Sequence, residues 1–263
     1  MIDTHCHLDD PAYSEDFEAV LSAQKAGGVE RILVPGVDAA NIEAVLDVCR
    51  RSDGYLLPAI GLHPENIGAD WEEQLATIRE RLFASDAPYI AVGEIGLDYH
   101  TDISYKQEQT EAFRCQLRWS QEKGLPVMVH SRDATEDCFS VLREVNEEAL
   151  SAGLPEIRAV MHCFSGSNET ARRIVDMGLY LGIGGVITFK NCKLREHLHN
   201  IPLERLVLET DAPYMTPVPY RGKRNESRYM SYVTDVLSEV YGVSPKEIDR
   251  QTTANAKTLF GIA

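Results

Sequence analysis

The chain of 263 residues contains no long hydrophobic run. No stretch approaches the roughly 18 consecutive apolar residues of a membrane span. The first residues also lack the basic and apolar segments of a signal peptide. We therefore expect a cytoplasmic protein without a membrane partner.

Positive charge is scarce, with 26 Lys and Arg residues against 41 Asp and Glu residues and a formal net charge of −15. Such a balance repels polyanions and argues against broad, nonspecific attraction to nucleic acid. A polyanionic substrate would have to be held by a local group of cations.

Paired cysteines are missing as well, because the six cysteines are scattered without a CxxC pair. In a chain of this size they are predicted to be reduced and structural rather than part of a disulfide framework. No low-complexity linker divides the sequence, and 44% of its residues are hydrophobic. These features predict a single globular domain over residues 1–263 with a large core.

Short apolar runs alternate with helical patterns along the whole chain. Strands are predicted at residues 1–3, 31–37, 55–61, 89–94, 125–130, 157–164, 179–185 and 204–211. Helices are predicted at residues 14–27, 41–51, 71–84, 105–123, 134–150, 168–177, 193–199, 227–241 and 254–260, with Ser14 as the cap of the first. Eight alternating units in about 250 residues predict a (β/α)8 TIM-type barrel, and an open doubly wound sheet is the alternative.

Five of the eight histidines fall at the ends of predicted strands. His5 and His7 follow the first strand, and extended residues i and i+2 face the same side, so Cys6 turns away. The other polar residues at strand ends are His63, Glu94, His130, His162 and Asp211. The active site of a parallel barrel lies at the carboxyl ends of its strands, so these side chains are predicted to converge.

Imidazoles and carboxylates that converge in this way indicate a centre for two divalent metal ions. Glu94 is predicted to bridge the ions, and His130 with His162 to complete the second site. An isolated pair such as His5 and His7 would more often be hydrogen-bonded without a metal; the joint arrangement favours ligation.

Neighbouring residues are weaker candidates. Asp98 either orients a ligand or caps the next helix. Glu209 is predicted to support a ligand, Asp3 to be a buried hydrogen-bonding group, and Cys163 to pack.

Seven motifs, taken in order, resemble the TatD family of metal-dependent hydrolases, within the wider group of amidohydrolase-like barrels. They are DTHCHLD at residues 3–9, GLHP at 61–64, GEIGLDY at 93–99, VHSRDA at 129–134, HCFSG at 162–166, GGVITFKN at 184–191 and ETDAPY at 209–214. The resemblance covers nearly the whole chain. One departure is Ser227, where the family commonly has proline after Asn225 and Glu226.

The resemblance implies a metal-dependent deoxyribonuclease. It assigns the metal ligands as His5, His7, Glu94, His130, His162 and Asp211. Two divalent ions per subunit, zinc, manganese or magnesium, would activate a water for phosphodiester cleavage. The predicted catalytic residues are Asp211, as ligand and general base, and Glu94, which sets the metal spacing.

Substrate contacts are predicted around this centre. His63 is expected to donate a hydrogen bond to the phosphate, unless it only caps the turn before Pro64. Basic residues after the seventh and eighth predicted strands are expected to contact DNA, in single-stranded or frayed form; we assign Lys190, Arg221 and Arg224. Three tyrosines offer stacking faces for bases or simply pack: Tyr99, Tyr214 and Tyr220.

Two other functions remain open at this stage. The same centre suits a metal-dependent amide or ester hydrolase acting on a small cyclic amide or an aminoacyl ester. A metalloprotein that binds nucleic acid without cleaving it is a further alternative, although it would not need a base such as Asp211. No obligate protein partner is predicted.

Overall fold

The computed structural model describes residues 1–100 and 103–263. Within these residues the strands are β1 Ile2–Asp3, β2 Arg31–Val34, β3 Leu56–Ile60, β4 Ala91–Asp98, β5 Val127–Arg132, β6 Ala159–Met161, β7 Tyr180–Ile183 and β8 Leu206–Leu208. The α-helices are α1 Phe17–Ala26, α2 Ile42–Arg51, α3 Trp71–Phe83, α4 Lys106–Lys123, α5 Thr135–Ser151, α6 Asn168–Asp176, α7 Met230–Tyr241 and α8 Pro245–Phe260.

The strands form one eight-stranded sheet in the order β1 to β8. The described registers of β1 with β2, β3 with β4, β4 with β5 and β7 with β8 are all parallel. Backbone hydrogen bonds also join β1 to β8, since the Thr4 N–H donates to the Leu208 carbonyl over 3.0 Å. This strand order confirms the predicted (β/α)8 barrel fold.

By contacts the chain divides into two compact units. The first unit comprises Met1–Val34, Asp47–Leu57 and Met161–Ala263, and the second comprises Pro35–Leu46 and Pro58–Val160. The assignment of residues 1–263 to a single domain stays a prediction.

The core of the second unit surrounds β4, in which all eight residues are buried. Helices α4 and α5 pack beside it and bury Phe113 and Phe139 completely. Removing such rings from water contributes about 1.5 to 3 kcal/mol each. The continuous burial of β4 is typical of a parallel strand covered on both faces.

The core of the first unit includes the packing of α8 against β8. Asn255 fastens the helix, because its side-chain amide donates to the Leu203 and Leu206 carbonyls. Among the described residues none of the six cysteines forms a disulfide bond, and burial raises the pKa of Cys138 to about 12. None of the helices described here is both long and apolar enough to cross a membrane.

Two of the predicted helical features are wrong. Residues 193–199 form 3-10 turns instead of an α-helix, and Arg195 ties them to the preceding turn by donating to the Ile187 and Phe189 carbonyls. Ser14 does not cap α1, because its hydroxyl donates to the Pro11 carbonyl and closes an earlier 3-10 turn.

Several boundaries also differ from the prediction, and two of them, in α8 and β4, have an identifiable signal or affect the site. Helix α8 begins at Pro245, nine residues before the predicted start at residue 254. Its signal is the Ser-Pro-Lys-Glu sequence, in which Ser244 accepts from the Glu247 N–H and proline occupies the first turn. Strand β4 runs on to Asp98, so Glu94 lies within the strand, where its register with β5 shifts between Val92 and Ile95.

Candidate functional site

The two histidines after β1 lie side by side in the first unit. The Nε2 atoms of His5 and His7 are 3.2 Å apart, while Cys6 between them is fully buried. Backbone bonds fix this segment on both sides, from the Cys6 N–H to the Leu33 carbonyl and from the His7 N–H to the Ala212 carbonyl. The expected alternation of side chains is therefore present.

Asp211 and His162 come to the same place from the ends of β8 and β6. The Asp211 Oδ1 atom lies 3.8 Å from Nε2 of His5 and 3.6 Å from Nε2 of His7. The ring of His162 stacks on that of His5, with their centroids 3.9 Å apart. Ligand atoms of His5, His162 and Asp211 all lie within 4.8 Å of one another. This spacing is compatible with coordination of one cation.

The carboxyl group of Asp211 is held in its ionised form. Burial alone would raise its pKa, but the hydrogen bond from His7 and the positive potential of His162 and His5 outweigh that effect, so the pKa is lowered. Its backbone has a φ of 55°, a conformation that residues other than glycine rarely adopt, and its N–H donates to the His5 carbonyl over 2.9 Å. The side chain is therefore fixed and charged at neutral pH.

The buried carboxyl groups of Glu209 and Asp3 lie next to these candidate ligands. Glu209 accepts from the Cys163 N–H, and its Oε1 atom lies 3.5 Å from Nδ1 of His162. Asp3 accepts from the backbone N–H groups of His5 and Thr210 and from the Thr210 hydroxyl. Burial raises the pKa of Asp3 to about 7. Asp3 is thus a buried hydrogen-bonding group, as predicted, and the support of His162 by Glu209 stays a prediction.

The second unit holds another group built from β4 and β5. His130 Nδ1 lies 2.8 Å from Glu94 Oε1, and its Nε2 lies 2.8 Å from Asp98 Oδ2. One ring nitrogen therefore faces a candidate ligand while the other is oriented by a carboxylate, an arrangement typical of metal-binding histidines. Of the two interpretations of Asp98, the structure favours the orienting one, and its remaining oxygen accepts from the His100 N–H.

His63 joins this group through its Nε2 atom. Its Nδ1 accepts from the Glu65 N–H at 3.1 Å, so the proton of the neutral ring resides on Nε2. Nε2 lies 3.4 Å from Glu94 Oε1, and ligand atoms of His63, Glu94 and His130 all lie within 4.8 Å. A protonated Nε2 cannot ligate a metal, so Glu94 and His130 are the candidate ligands here. The predicted cap of His63 is therefore present, and its donation to a phosphate stays a prediction.

The predicted substrate residues have differing surroundings. Lys190 and Arg221 are exposed, and the Arg221 guanidinium lies 4.4 Å from the centroid of the Phe189 ring. Arg224 is instead engaged within the protein, in a two-pronged ion pair with Asp16 at 2.8 and 2.7 Å. This pair raises the pKa of Arg224 and would have to open for Arg224 to bind a phosphate, so its assignment stays a prediction.

Two residues that shape the site were not identified from the sequence. Thr210 fastens Asp3, as described above. Asn225 holds the segment after Asp211, because its side-chain amide donates to the carbonyls of Thr210 and Tyr214. The sequence does contain a signal for Thr210, because this residue lies between two acidic residues at the end of a strand. Asn225 lies 14 residues beyond Asp211, and its hydrogen-bond partners can be identified only from the fold.

Imidazole and carboxylate donors in both units suit a borderline divalent cation such as zinc or manganese. This chemistry, on the rim of a parallel barrel, defines the class of a metal-dependent hydrolase. Comparison with known proteins agrees. The model of the TatD related DNase family matches residues 2–261. The chain therefore belongs to the TatD family.

Individual relatives match over nearly their whole length. The uncharacterized metal-dependent hydrolase YabD of Bacillus subtilis is 43% identical, covering 100% of this chain and 99% of the relative. The 3'-5' ssDNA/RNA exonuclease TatD of Erwinia billingiae is 32% identical, covering 99% and 98%. The crystal structure of YJJV, a TatD homolog from Escherichia coli K12, superposes with a TM-score of 0.90 at 34% identity, covering 100% and 98%.

Proposed function

We propose that this hydrolase removes nucleotides from an end of single-stranded DNA with the help of two divalent metal ions. The observation that carries the proposal is that each unit contains a cluster of histidine and carboxylate side chains with the spacing of metal ligands. One ion would be held by His5, His7, His162 and Asp211, and the other by Glu94 and His130. The sequence predicts a different distribution, in which Glu94 bridges the ions and His130 shares one of them with His162, and that distribution stays a prediction.

Bound divalent ions would supply Lewis acidity and a water of lowered pKa for attack on phosphorus. The residues supply the remaining chemistry. Asp211 is ionised and fixed, and it would accept the proton of the attacking water. His63 carries its proton on Nε2 and would donate a hydrogen bond to a phosphate oxygen, where negative charge accumulates during the reaction. Asp98 would orient His130 through its 2.8 Å contact with Nε2, and Glu209 would support His162.

The nucleic-acid substrate is supported by the relatives named as ssDNA/RNA exonucleases and by the exposed cations Lys190 and Arg221. We propose single-stranded or frayed DNA as the substrate. Zinc, manganese and magnesium are the candidate metals. A cytoplasmic location and the lack of an obligate protein partner stay predictions.

End-labelled single-stranded DNA tests the proposal with each metal in turn. We expect stepwise shortening from one end, loss of activity with a chelator, and two ions per chain by elemental analysis. RNA of the same sequence tests the preference for DNA. Cleavage of cyclic amides or aminoacyl esters, with DNA left intact under every metal, would overturn the proposal and favour the other hydrolase chemistry.

Asp211→Asn tests the base directly. We expect kcat to fall at least about 100-fold, because the amide cannot accept the proton from water. The matched control is Asp235→Asn, which makes the same chemical change on an exposed position of α7. Equal activity of the two variants, each shown to be folded and metal-loaded, would remove Asp211 from this role.

A further inference from the structure

The segment just after Asp211 presents large apolar side chains to solvent. Tyr214 is 55% exposed, Met215 45% and Val218 45%. We call these three side chains the apolar rim. Among residues 1–100 and 103–263, three of the seven exposed large hydrophobic side chains lie within these five positions. Such a concentration beside a candidate active site indicates a binding surface.

The apolar rim is held in place by the backbone beneath it. The Tyr214 N–H donates to the Asp211 carbonyl over 2.9 Å, and the Tyr214 carbonyl accepts from the Asn225 amide over 2.7 Å. The Tyr214 hydroxyl donates to Asp10 over 3.2 Å. At Gly185 any side chain would collide with the Met215 carbonyl, so the loop packs closely there. The exposed ring is therefore preorganised.

Tyr214 lies directly beside a candidate metal ligand. Its ring centroid is 6.3 Å from that of His7, and the two planes are inclined at 66°. A phosphate held near His7 and Asp211 would place the neighbouring part of the same substrate against Tyr214. For a nucleic acid that neighbouring part carries a base.

The other two tyrosines noted in the sequence have covered faces. The Tyr220 ring stacks on Tyr229 at 4.5 Å with an angle of 15°, and the ammonium of Lys106 lies 4.1 Å from the centroid of Tyr99. The structure thus separates Tyr214, which is exposed beside the site, from the tyrosines that serve packing.

Exposed cations accompany the apolar rim. Arg221 and Lys223 follow it in the chain and are both exposed. Their local positive charge would attract the phosphates of a strand whose base contacts the ring, in spite of the net charge of −15. Aromatic faces beside cations are the usual means of binding single strands without sequence preference.

We propose that Tyr214, flanked by Met215 and Val218, is a stacking platform for the base next to the cleaved phosphodiester. This inference rests on the proposed nuclease function. It assigns to Tyr214 the selection of nucleic acid that carries a base next to the cleaved phosphodiester. Stacking on a ring is tolerant of sequence, so the platform favours an unpaired base over an abasic nucleotide rather than one base over another.

Paired substrates test the platform. One is a single-stranded oligonucleotide with all its bases, and the other has the same backbone with abasic residues at both ends. Tyr214→Ala should raise the KM for the first about 10-fold and leave that for the second unchanged. Tyr214→Phe keeps the ring and should retain the preference. Leu150→Ala, which removes an exposed apolar side chain in α5, is the control.

A binding measurement separates failure of the platform from failure of the nuclease function. In Tyr214→Trp, the oligonucleotide with bases should quench the indole fluorescence, whereas the abasic one should not. Quenching without cleavage by the unsubstituted protein would overturn the nuclease function and leave the platform. Unchanged kinetics in Tyr214→Ala, or equal losses on both substrates, would overturn the platform.

Discussion

Replacing Asp98 by Asn tests how strongly the orientation of His130 governs metal binding. The carboxylate contacts two groups, His130 Nε2 at 2.8 Å and the His100 N–H at 2.9 Å. An amide has one oxygen, so it can accept from only one of the two donors and turns its NH2 group toward the other. The variant therefore loses a contact and also a negative charge next to the imidazole.

The expected size of the effect follows from the position of Asp98. Burial opposes its charge, but the hydrogen bonds from His130 and His100 outweigh burial and lower its pKa. Because that pKa lies below the ordinary value of 3.8, the orienting carboxylate is present at neutral pH and is lost only as the pH falls below about 4. Loss of such a partner lowers metal affinity about 10- to 100-fold, or about 1.4 to 2.7 kcal/mol.

Competition between the protein and a chelating dye for manganese or zinc at pH 7 measures this change. Asp133→Asn is the matched control, because Asp133 makes a similar contact of 2.8 Å with His100 on the exposed surface. The φ of Asp133 is 53°, which Asn tolerates well. We expect weakened binding only in Asp98→Asn. Equal affinities in the two variants would refute the orienting role.

Two further predictions concern stability. The pKa of Asp3 is raised to about 7 by burial, so the folded state binds its proton more tightly than the unfolded chain. Unfolding of chelated protein should show stability falling as the pH rises from about 4 to 7, and Asp3→Asn should flatten that slope; an unaltered slope would contradict the assignment. Gly96→Ala should cost at least about 2 kcal/mol in urea unfolding, because its Cβ would collide with the His130 carbonyl. Gly178→Ala, also at positive φ but in open space, should cost about 1 kcal/mol; equal costs would refute the steric explanation.

Local periodicity was sufficient to predict much of the fold. Strands follow from short apolar runs and helices from the amphipathic patterns between them, and both depend on residues only a few positions apart. The same principle places His5 beside His7. It fails at residues 193–199, where a short amphipathic pattern is compatible with a helix but contacts from Arg195 select 3-10 turns instead.

The partners of charged side chains that lie far apart in the sequence could not be predicted. Arg224 belongs to a basic run that resembles a phosphate contact, yet its ion-pair partner Asp16 is 208 positions away. Likewise Asp98 and His130 are 32 residues apart, and only the pairing of β4 with β5 brings them together. A run of basic residues in the sequence shows that positive charge is present, but only the fold determines which acidic residue pairs with each basic one.

His63 can cap a turn and still be available as a hydrogen-bond donor to substrate. From the sequence, a cap before Pro64 and a donor to phosphate are alternatives. In the structure the Glu65 N–H occupies Nδ1, and this contact places the ring proton on Nε2, the nitrogen that faces Glu94. The cap thereby selects the tautomer that donation requires. The sequence contains both His63 and the turn that it caps. The orientation of the His63 ring, through which the cap determines the tautomer, depends on the fold.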